Sequence, residues 1–170
     1  MFTRRDFSKA GLGFAAAALI ARTAHANGPT TGGTQAMTFE VTKTEDEWKK
    51  ILTPEQFQVL RKHGTERAGT SALDKKYDPG TYDCAACDLP VYPSETKFDS
   101  GTGWPSFYKP LDNAIGTSVD KSFFSTRTEV HCRRCGGHLG HVFEDGPKPT
   151  GLRYCMNGVA MTFTADKKSS

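Results

Sequence analysis

Residues His131 to Asn157 read HCRRCGGHLGHVFEDGPKPTGLRYCMN, and this stretch carries most of the structural and chemical information in the chain. It opens with a Cys-x-x-Cys pair, continues with two histidines three residues apart, and reaches a single cysteine behind an arginine. An earlier pair, Cys84 and Cys87, has the same spacing. The five cysteines of the chain therefore divide into two pairs and one remaining residue, Cys155.

The two cysteine pairs have the spacing of a four-thiolate metal site. Cys84 and Cys87 form the first pair, and Cys132 and Cys135 form the second. Each Cys-x-x-Cys hairpin directs two sulfurs at one point, and two hairpins complete the tetrahedron that suits Zn²⁺. Gly136, directly after the second pair, allows the backbone to turn tightly beneath the metal. We predict structural zinc, with iron as an alternative.

The N-terminal residues have the pattern of a bacterial twin-arginine export signal. Arg4 and Arg5 are adjacent, a weakly apolar run covers residues 10–21, and Ala24-His25-Ala26 is a small-x-small cleavage signal. The apolar run is shorter than the ~20 residues that a bilayer span needs. We therefore predict a signal peptide over residues 1–26, a periplasmic location, and no stable membrane insertion after cleavage.

Disulfides are the competing interpretation of the paired cysteines, because exported proteins usually commit their cysteines to such bonds. A bridge within either pair would close a small, strained loop with little entropic benefit. If the twin-arginine route carries folded cargo, the metal can bind before the chain meets an oxidising compartment. These arguments favour zinc over two disulfides.

The remainder of the chain divides by composition into a linker, a domain and a tail. Residues 27–37 are rich in Gly, Thr and Pro and are expected to be a flexible linker, and residues 166–170 a frayed polar tail. The segment between them, 38–165, is long enough for one domain with its own core. The formal net charge of +3 comes from the leader, because residues 27–170 hold 18 basic and 18 acidic side chains. That balance gives no reason to expect nucleic acid as a partner.

The pattern of residues predicts a mainly β domain with two short helices at its front. Thr44 to Glu47 has the spacing of a capping box, and Thr53 to Gln56 repeats it with proline at the first helical position. Beyond Gly80, short runs rich in Val, Phe, Tyr and Thr are too closely spaced for helical crossovers. The predicted strands cover residues 122–126, 128–131, 139–143, 152–156 and 159–164. We expect antiparallel sheets forming a barrel-like or sandwich core, beside the four-cysteine zinc site.

Cys155 has no partner if the other four cysteines bind metal. With an ordinary pKa near ~8.5, it needs help from its surroundings to act as a nucleophile at neutral pH. On a strand, Arg153 and Asn157 would share its face, and His138 and His141 could supply or accept a proton. Spacing alone leaves open whether Cys155 is a nucleophile or an inert core cysteine.

Three further segments carry a resemblance to a known family. They are SGTGWPSF at 100–107, CGGHLGHVF at 135–143 and GLRYCMN at 151–157. These segments resemble the signature segments of the B-type methionine-R-sulfoxide reductases, and the two cysteine pairs are similar to that family's zinc site. The likeness spans residues 48–163 in matching order. Enzymes of this family repair one epimer of oxidised methionine.

The resemblance implies a role for each matching residue. Cys155 would attack the sulfoxide sulfur, which yields methionine and a cysteine sulfenic acid. His138 and His141 would position and protonate the sulfoxide oxygen, and Asn157 would orient the substrate or its water. The implied activity is reduction of methionine R-sulfoxide in proteins, with repair of oxidised proteins in the cell envelope, and whether free methionine sulfoxide is also a substrate stays open.

The resemblance also implies partners and a substrate pocket. Trp104 would pack against the substrate's methyl group, a contact that fits the favourable interaction of sulfur with aromatic rings. Arg153 would be a second substrate-binding residue. The partners would be proteins or peptides that contain methionine sulfoxide, together with an external thiol reductant, either a thioredoxin-like protein or a small thiol.

Two positions depart from the family pattern. Thr102 stands where many relatives have the cysteine that resolves the sulfenic acid as a disulfide, and Gly158 stands where serine is commoner. Two other functions compete with the reductase interpretation. One is a zinc-ribbon interaction module without catalysis, which leaves Cys155 unexplained. The other keeps the same fold but uses the free thiol on a different small molecule.

Overall fold

The computed structural model describes residues 38–122 and 125–167. The predicted signal peptide at 1–26, the linker at 27–37 and the last three residues of the predicted tail lie outside the described residues. Neither described helix has the length and apolar character to cross a bilayer, so residues 38–122 and 125–167 contain no candidate membrane-spanning helix.

Two short helices, α1 (Glu45–Ile51) and α2 (Pro54–Lys62), begin the domain. Both predicted capping boxes are present. The Thr44 hydroxyl accepts from the Glu47 amide at 3.3 Å while the Glu47 carboxylate accepts from the Thr44 amide at 2.7 Å. Thr53 and Gln56 repeat this exchange at 3.2 and 3.0 Å. Each box satisfies amide groups that the first turn of a helix would otherwise leave unpaired, which fixes where the helix begins.

Within the described residues, nine strands follow the helices, and every pairing between them is antiparallel. Their bounds are β1 Gly80–Cys84, β2 Pro90–Pro93, β3 Lys97–Phe98, β4 Ser106–Phe107, β5 Ile115–Asp120, β6 Arg127–Cys132, β7 His138–Phe143, β8 Arg153–Met156 and β9 Met161–Ala165. They form a three-stranded sheet in the order β2-β1-β9 and a six-stranded sheet in the order β3-β4-β8-β7-β6-β5. The predicted fold class is confirmed, and since neither sheet closes on itself among the described strands, the sandwich form of that prediction fits.

Four of the five predicted strands correspond to β6, β7, β8 and β9, with bounds that differ by one or two residues. The predicted strand at 122–126 is wrong. The strand in this region is β5, which ends at Asp120, where the carboxylate accepts from the Ser122 amide at 2.8 Å. Such a local side-chain bond to the backbone offers the chain a turn in place of a ladder. The described residues of 122–126 therefore lie in a loop.

Aromatic side chains form the centre of the core and join the two sheets. Tyr92 of β2 stacks on Phe107 of β4 with ring centroids 4.4 Å apart, and Tyr82 of β1 meets the same ring edge-on at 4.9 Å. The Tyr92 hydroxyl donates to the sulfur of Met156 in β8 at 3.2 Å. Buried aromatic pairs add about 0.5–1.5 kcal/mol each beyond their area burial, so these contacts stabilise the packing of sheet on sheet.

Helix α2 lies against β7 and buries Phe57, Val59 and Leu60. It ends at Lys62, and the C-cap residue His63 has a left-handed backbone (φ 55°) that stops the helix. The last turn also reaches the second cysteine pair, because Arg61 donates to the carbonyl of Cys135 at 3.1 and 3.2 Å. The helical front is thereby attached to the β domain at the second cysteine pair.

Candidate active site and metal centre

The four paired cysteines come together at one place, as their spacing predicts. Cys84 ends β1 and Cys132 ends β6, and the turn after each strand supplies the second cysteine. The sulfurs of Cys84 and Cys135 are 3.7 Å apart, those of Cys87 and Cys132 are 3.5 Å apart, and all four lie within 4.8 Å of one another. A tetrahedral zinc ion with Zn–S bonds of ~2.3 Å requires S–S separations of about 3.8 Å. The four sulfurs therefore fit that ion.

Disulfides do not account for the described cysteines. All five thiols are free, and separations of 3.5 and 3.7 Å are well beyond the ~2.05 Å of a bonded pair. The two turns are built alike: the amide of Asp88 donates to the Cys84 carbonyl at 2.8 Å, and the amide of Gly136 to the Cys132 carbonyl at 2.9 Å. Gly136 has φ 67°, and a Cβ at this position would collide with the ring of Phe39.

The thiols of this centre perturb one another. Hydrogen bonds from Cys135 and Cys84 hold the pKa of Cys132 far below its usual range, while bonds to Cys132 and Cys135 raise the pKa of Cys84 far above it. Without a cation, repulsion between neighbouring thiolates keeps some of the four thiols protonated. A bound cation allows all four sulfurs to ionise. Of the two arginines between the second pair, Arg134 donates to the Cys87 carbonyl at 3.0 Å, so it contributes positive charge beside the centre.

A cavity of about 120 Å³ separates Cys155 from the loops that face it. Its wall brings together four residues that the sequence predicts for the active site, Trp104, His141, Cys155 and Asn157. Two further lining residues, Thr65 and Arg127, carry no signal in the sequence that marks them as functional. The others, Gly140, Phe143 and Met156, lie within the signature segments but have no predicted role. A larger groove of about 610 Å³ shares only Thr65 with this cavity, and its described lining has neither thiol nor imidazole. The thiol and the imidazole that the sequence predicts for the active site therefore line the smaller cavity.

Cys155 lies in β8, where the sheet register places it opposite Ser106 of β4 on one side and His141 of β7 on the other. Residues directly opposite one another on antiparallel strands project to the same face, so the three side chains share one surface. Burial raises the pKa of the Cys155 thiol, and the nearby hydroxyl of Thr102 and the charge of Arg153 act in the opposite direction. The nucleophile proposed from the sequence is thus half-buried but not isolated.

His141 is held by an acidic partner behind it. Its Nε2 lies 2.8 Å from Oδ2 of Asp120, which also accepts from Arg127 at 2.7 Å. Hydrogen bonds from Ser122 and His141 hold the pKa of Asp120 well below its usual range, so this carboxylate stays ionised. Burial lowers the pKa of His141 more than Asp120 raises it, which favours the neutral ring. Because the ionised Asp120 carboxylate accepts a hydrogen bond from Nε2, the proton of the neutral ring lies on Nε2, and Nδ1 is left as a hydrogen-bond acceptor.

His138 occupies a different position from His141. Its Nδ1 lies 2.8 Å from Oε1 of Glu129, which also contacts His63 at 2.9 Å, and its ring centroid is 5.2 Å from that of His141. The hydrogen bond from His138 lowers the pKa of Glu129 to about 2. Of the two histidines, His141 lines the cavity beside Cys155, whereas both line a separate cavity of about 490 Å³. The expected direct role of His138 at the sulfoxide oxygen stays a prediction.

Glu66, a loop residue that no sequence pattern marked, holds the cavity wall that faces Cys155 by hydrogen bonds. The Trp104 indole donates to the Glu66 carbonyl at 3.1 Å, and the Glu66 amide donates to the side-chain oxygen of Asn157 at 3.0 Å. Its carboxylate accepts from the amides of Gly158 and Val159 at 2.5 and 2.9 Å. No local pattern could reveal these partners, because Glu66 precedes Asn157 by 91 residues.

Arg153 lies on the same strand as Cys155 but is committed elsewhere. Its guanidinium makes a bidentate pair with Asp145, with both distances 2.8 Å, and lies 4.4 Å above the ring of Phe143. Planar, bidentate pairing of this kind fixes the orientation of both side chains. Arg153 therefore supports the Phe143 wall of the cavity, and its expected contact with substrate stays a prediction.

Comparison with known proteins identifies the family of this chain. The SelR domain model matches residues 52–165. Peptide methionine sulfoxide reductase MsrB of Leptospira interrogans is 55% identical over 128 residues, which cover 75% of this chain and 98% of that protein. The proteins of the same name from Methanosarcina barkeri and Pseudomonas putida are 53% and 54% identical, over 75% and 73% of this chain and 91% and 94% of their own lengths.

A SelR domain that includes all four metal-site cysteines and Cys155 defines the class of protein. The chain belongs to the methionine-R-sulfoxide reductase B family, whose members are oxidoreductases. The resemblance seen in the sequence is therefore confirmed.

Proposed function

We propose that this protein reduces methionine R-sulfoxide to methionine, with Cys155 as the nucleophile. The observation that carries this proposal is the shared cavity in which Cys155, His141, Trp104 and Asn157 meet. Family membership supports the same reaction, because the relatives are named peptide methionine sulfoxide reductases. A non-catalytic zinc module would have no use for a thiol, an imidazole and an indole converging on one cavity.

The chemical step transfers the sulfoxide oxygen to sulfur. The Cys155 sulfur attacks the substrate's sulfur, the sulfur–oxygen bond of the sulfoxide breaks, and the oxygen ends on Cys155 as a sulfenic acid. The substrate's sulfur is reduced by two electrons and the Cys155 sulfur is oxidised by two. His141 takes the thiol proton on Nδ1 and returns it to the oxygen, so the step needs no other proton donor. Asp120 stabilises the imidazolium that forms in between.

The cavity suits one methionine sulfoxide side chain. Trp104 and Phe143 supply aromatic surface to the methyl group and sulfur of the substrate. The Trp104 ring is held by its bond to Glu66, so its surface is already oriented before substrate binds. The positive charge of Arg127, together with the polar groups of His141 and Asn157, lies where the sulfoxide oxygen has to be recognised. This division between an apolar side and a polar side favours one sulfoxide epimer.

Regeneration of Cys155 requires an external thiol. The described cysteines other than Cys155 belong to the metal centre, and position 102 is threonine. One thiol displaces water from the sulfenic acid and forms a mixed disulfide, and a second thiol releases Cys155. The reductant is therefore a thioredoxin-like protein or a small thiol, and the substrates are proteins or peptides that contain methionine sulfoxide.

The four-cysteine centre is proposed to hold zinc in a structural role. Its four sulfurs supply every ligand of a tetrahedral ion, which leaves no position for substrate or water. Zinc bound there would fix the ends of β1 and β6 relative to each other. The reaction at Cys155 uses none of these sulfurs.

The location that we propose for the enzyme is the cell envelope, where it would repair oxidised proteins after export. This proposal rests on the paired Arg4 and Arg5, the short apolar run and the small residues that end at Ala26. Cleavage there would release the domain without a membrane anchor.

Zinc content is the first test. Replacing Cys84 or Cys132 with serine should give insoluble or unstable protein without zinc, because structural zinc contributes on the order of 10–16 kcal/mol against a net stability of ~5–15. Elemental analysis of the purified wild type should find one zinc per chain. Cys155→Ser is the matched control and should keep its zinc and its melting temperature. Active, soluble protein without metal, or with two disulfides, would contradict the assignment.

Stereospecific reduction is the second test. Cys155→Ser should abolish reduction of R-sulfoxide, since the hydroxyl is a far weaker nucleophile of nearly the same size. His141→Ala should slow the reductive step by ~10²–10⁴-fold, the usual contribution of general acid–base catalysis. Rates are measured on R and S epimers with a chemical thiol as reductant. Equal rates on the two epimers, or normal turnover by Cys155→Ser, would show that the proposal is wrong.

The product of one turnover is the third test. Without reductant, a single turnover should leave Cys155 as a dimedone-reactive sulfenic acid, and mass spectrometry should find the other four cysteines unmodified. Thr102→Cys should instead yield a disulfide with Cys155, because the Thr102 hydroxyl already lies 3.9 Å from the Cys155 sulfur. Thr102→Ser is the control and should behave as wild type. An internal disulfide in the unmodified protein would mean that a metal-site cysteine resolves the intermediate.

Export is the fourth test. The full chain produced in a bacterium with a twin-arginine translocase should be found in the periplasmic fraction and shortened near Ala26. Changing Arg4 and Arg5 together to lysine should retain the unprocessed chain in the cytoplasm, because the route reads the arginine pair. Periplasmic accumulation of the doubly changed chain would refute the export proposal.

A further inference from the structure

Three hydroxyl groups form a continuous hydrogen-bonded chain beside Cys155. The Ser100 hydroxyl lies 2.8 Å from that of Thr102 and 2.7 Å from that of Ser106. At one end, the Thr102 hydroxyl lies 3.9 Å from the sulfur of Cys155. At the other end, the Ser106 hydroxyl lies 3.1 Å from the carbonyl of Trp104. The chain thus runs from the nucleophile to a backbone acceptor.

Two structural features hold these hydroxyls in line. Ser106 is 1% exposed, and the pairing of β4 with β8 places it directly opposite Cys155. Ser100 and Thr102 flank Gly101, which has φ 71° and whose amide donates to the Asp99 carboxylate at 2.9 Å. The loop therefore presents both hydroxyls on the side that faces Ser106 and Cys155.

Each hydroxyl has only one hydrogen to donate, so the chain has two consistent directions. When Cys155 is a thiol, its S–H donates to Thr102, and the hydrogens then point from Thr102 through Ser100 and Ser106 to the Trp104 carbonyl. When Cys155 is a thiolate, Ser106 donates to Ser100, Ser100 to Thr102, and Thr102 to the sulfur. Once the Cys155 proton has passed to a base such as His141, rotation of the three hydroxyl groups converts the first arrangement into the second, and each hydroxyl keeps its own hydrogen.

The charged groups near Cys155 are already paired with other partners. On its own strand, Arg153 is bound by Asp145. On β7 and β6, His141 and Arg127 are both bound to Asp120. Arg153 still favours the Cys155 anion by its charge, and neutral hydroxyls can supply further hydrogen bonding that the partly buried anion requires.

We propose that Ser100, Thr102 and Ser106 form a reversible hydrogen-bond chain that stabilises the Cys155 thiolate, with Thr102 as the donor to sulfur. Thr102 touches the reacting atom, and Ser106, opposite Cys155 in the sheet, also acts on it directly. Ser100 joins the two and is a positioning residue that acts through Thr102. The significance for catalysis rests on the proposed role of Cys155 as nucleophile. At position 102, where many relatives have a resolving cysteine, this protein thus has a residue that activates the nucleophile.

The test measures the reactivity of Cys155 without any sulfoxide. The zinc-loaded protein is treated with iodoacetamide across a pH range from about 5 to about 11, which brackets the ordinary thiol pKa of ~8.5. Mass spectrometry follows alkylation of the peptide that contains Cys155. Four variants test the hydrogen-bond chain: Thr102→Val, Thr102→Ser, Ser100→Ala and Ser106→Ala. The matched control is Thr162→Val, at an exposed position of β9. Circular dichroism and zinc content establish that each variant is folded.

Loss of a hydrogen bond to an anion destabilises that anion, so Thr102→Val should raise the pH midpoint of alkylation by about one unit or more, a tenfold loss of thiolate at a given pH. Ser100→Ala and Ser106→Ala should raise it by smaller amounts, because Thr102 keeps its hydroxyl but is no longer oriented. Thr102→Ser and Thr162→Val should match the wild type.

An unchanged midpoint in Thr102→Val would overturn the proposal. A shift in Thr102→Val with no shift in either serine variant would also overturn it, because Thr102 would then act alone. If Ser106→Ala does not fold, the partly exposed Ser100 gives the same test. Since alkylation needs no turnover, these outcomes are independent of whether Cys155→Ser abolishes sulfoxide reduction, which tests the proposed function itself.

Discussion

The convergence of four cysteine sulfurs is the constraint on which the rest of the structure depends. Cys84 ends β1 of the three-stranded sheet and Cys132 ends β6 of the six-stranded sheet, so a metal ion held by these sulfurs would tie the two sheets at one point. The turn through Cys135 leads directly into β7, which carries His141. The position of His141 is therefore linked through the backbone to the four-cysteine cluster, although the cluster and the cavity beside Cys155 share no residue.

The register of the strands determines which side chains lie beside Cys155 in the candidate active site. Since β8 lies between β4 and β7, Cys155 is flanked by Ser106 and His141 at fixed distances set by the backbone ladder. A site built on paired strands is positioned more precisely than one built on loops. The facing wall is a loop, but Glu66 ties it to Trp104 and Asn157 by hydrogen bonds, so it too is ordered before substrate binds.

In the proposed mechanism, threonine at position 102 bears on both the first step and the later steps of the reaction. A cysteine there would trap the sulfenic acid as a disulfide within the protein, whereas threonine leaves it open to an incoming thiol. The Thr102 hydroxyl is also the end of the hydrogen-bond chain through Ser100 and Ser106. It can donate to the Cys155 sulfur before oxygen transfer. The protein would thereby combine a better-stabilised nucleophile with reliance on an external reductant.

Features that depend on neighbours in the chain could be predicted from the sequence. The two capping boxes, the Cys-x-x-Cys turns and the mainly β character all arise from bonds or preferences within a few residues, and the structure has them where the sequence places them. The strand predicted at 122–126 was wrong because one side-chain bond at Asp120 outweighed local strand propensity. Propensity is a weak effect that a single turn can reverse.

The sequence by itself determined the family, the metal-site cysteines and the identity of the candidate nucleophile, because each is carried by a short motif. Only the tertiary structure decided which residues surround that nucleophile. Asp120 behind His141 and Glu66 behind Trp104 lie 21 and 38 residues from their partners, and His138 is separated from the Cys155 cavity although it belongs to the same motif as His141. Sheet register and loop packing create such contacts, and these arise from the fold as a whole and not from local spacing.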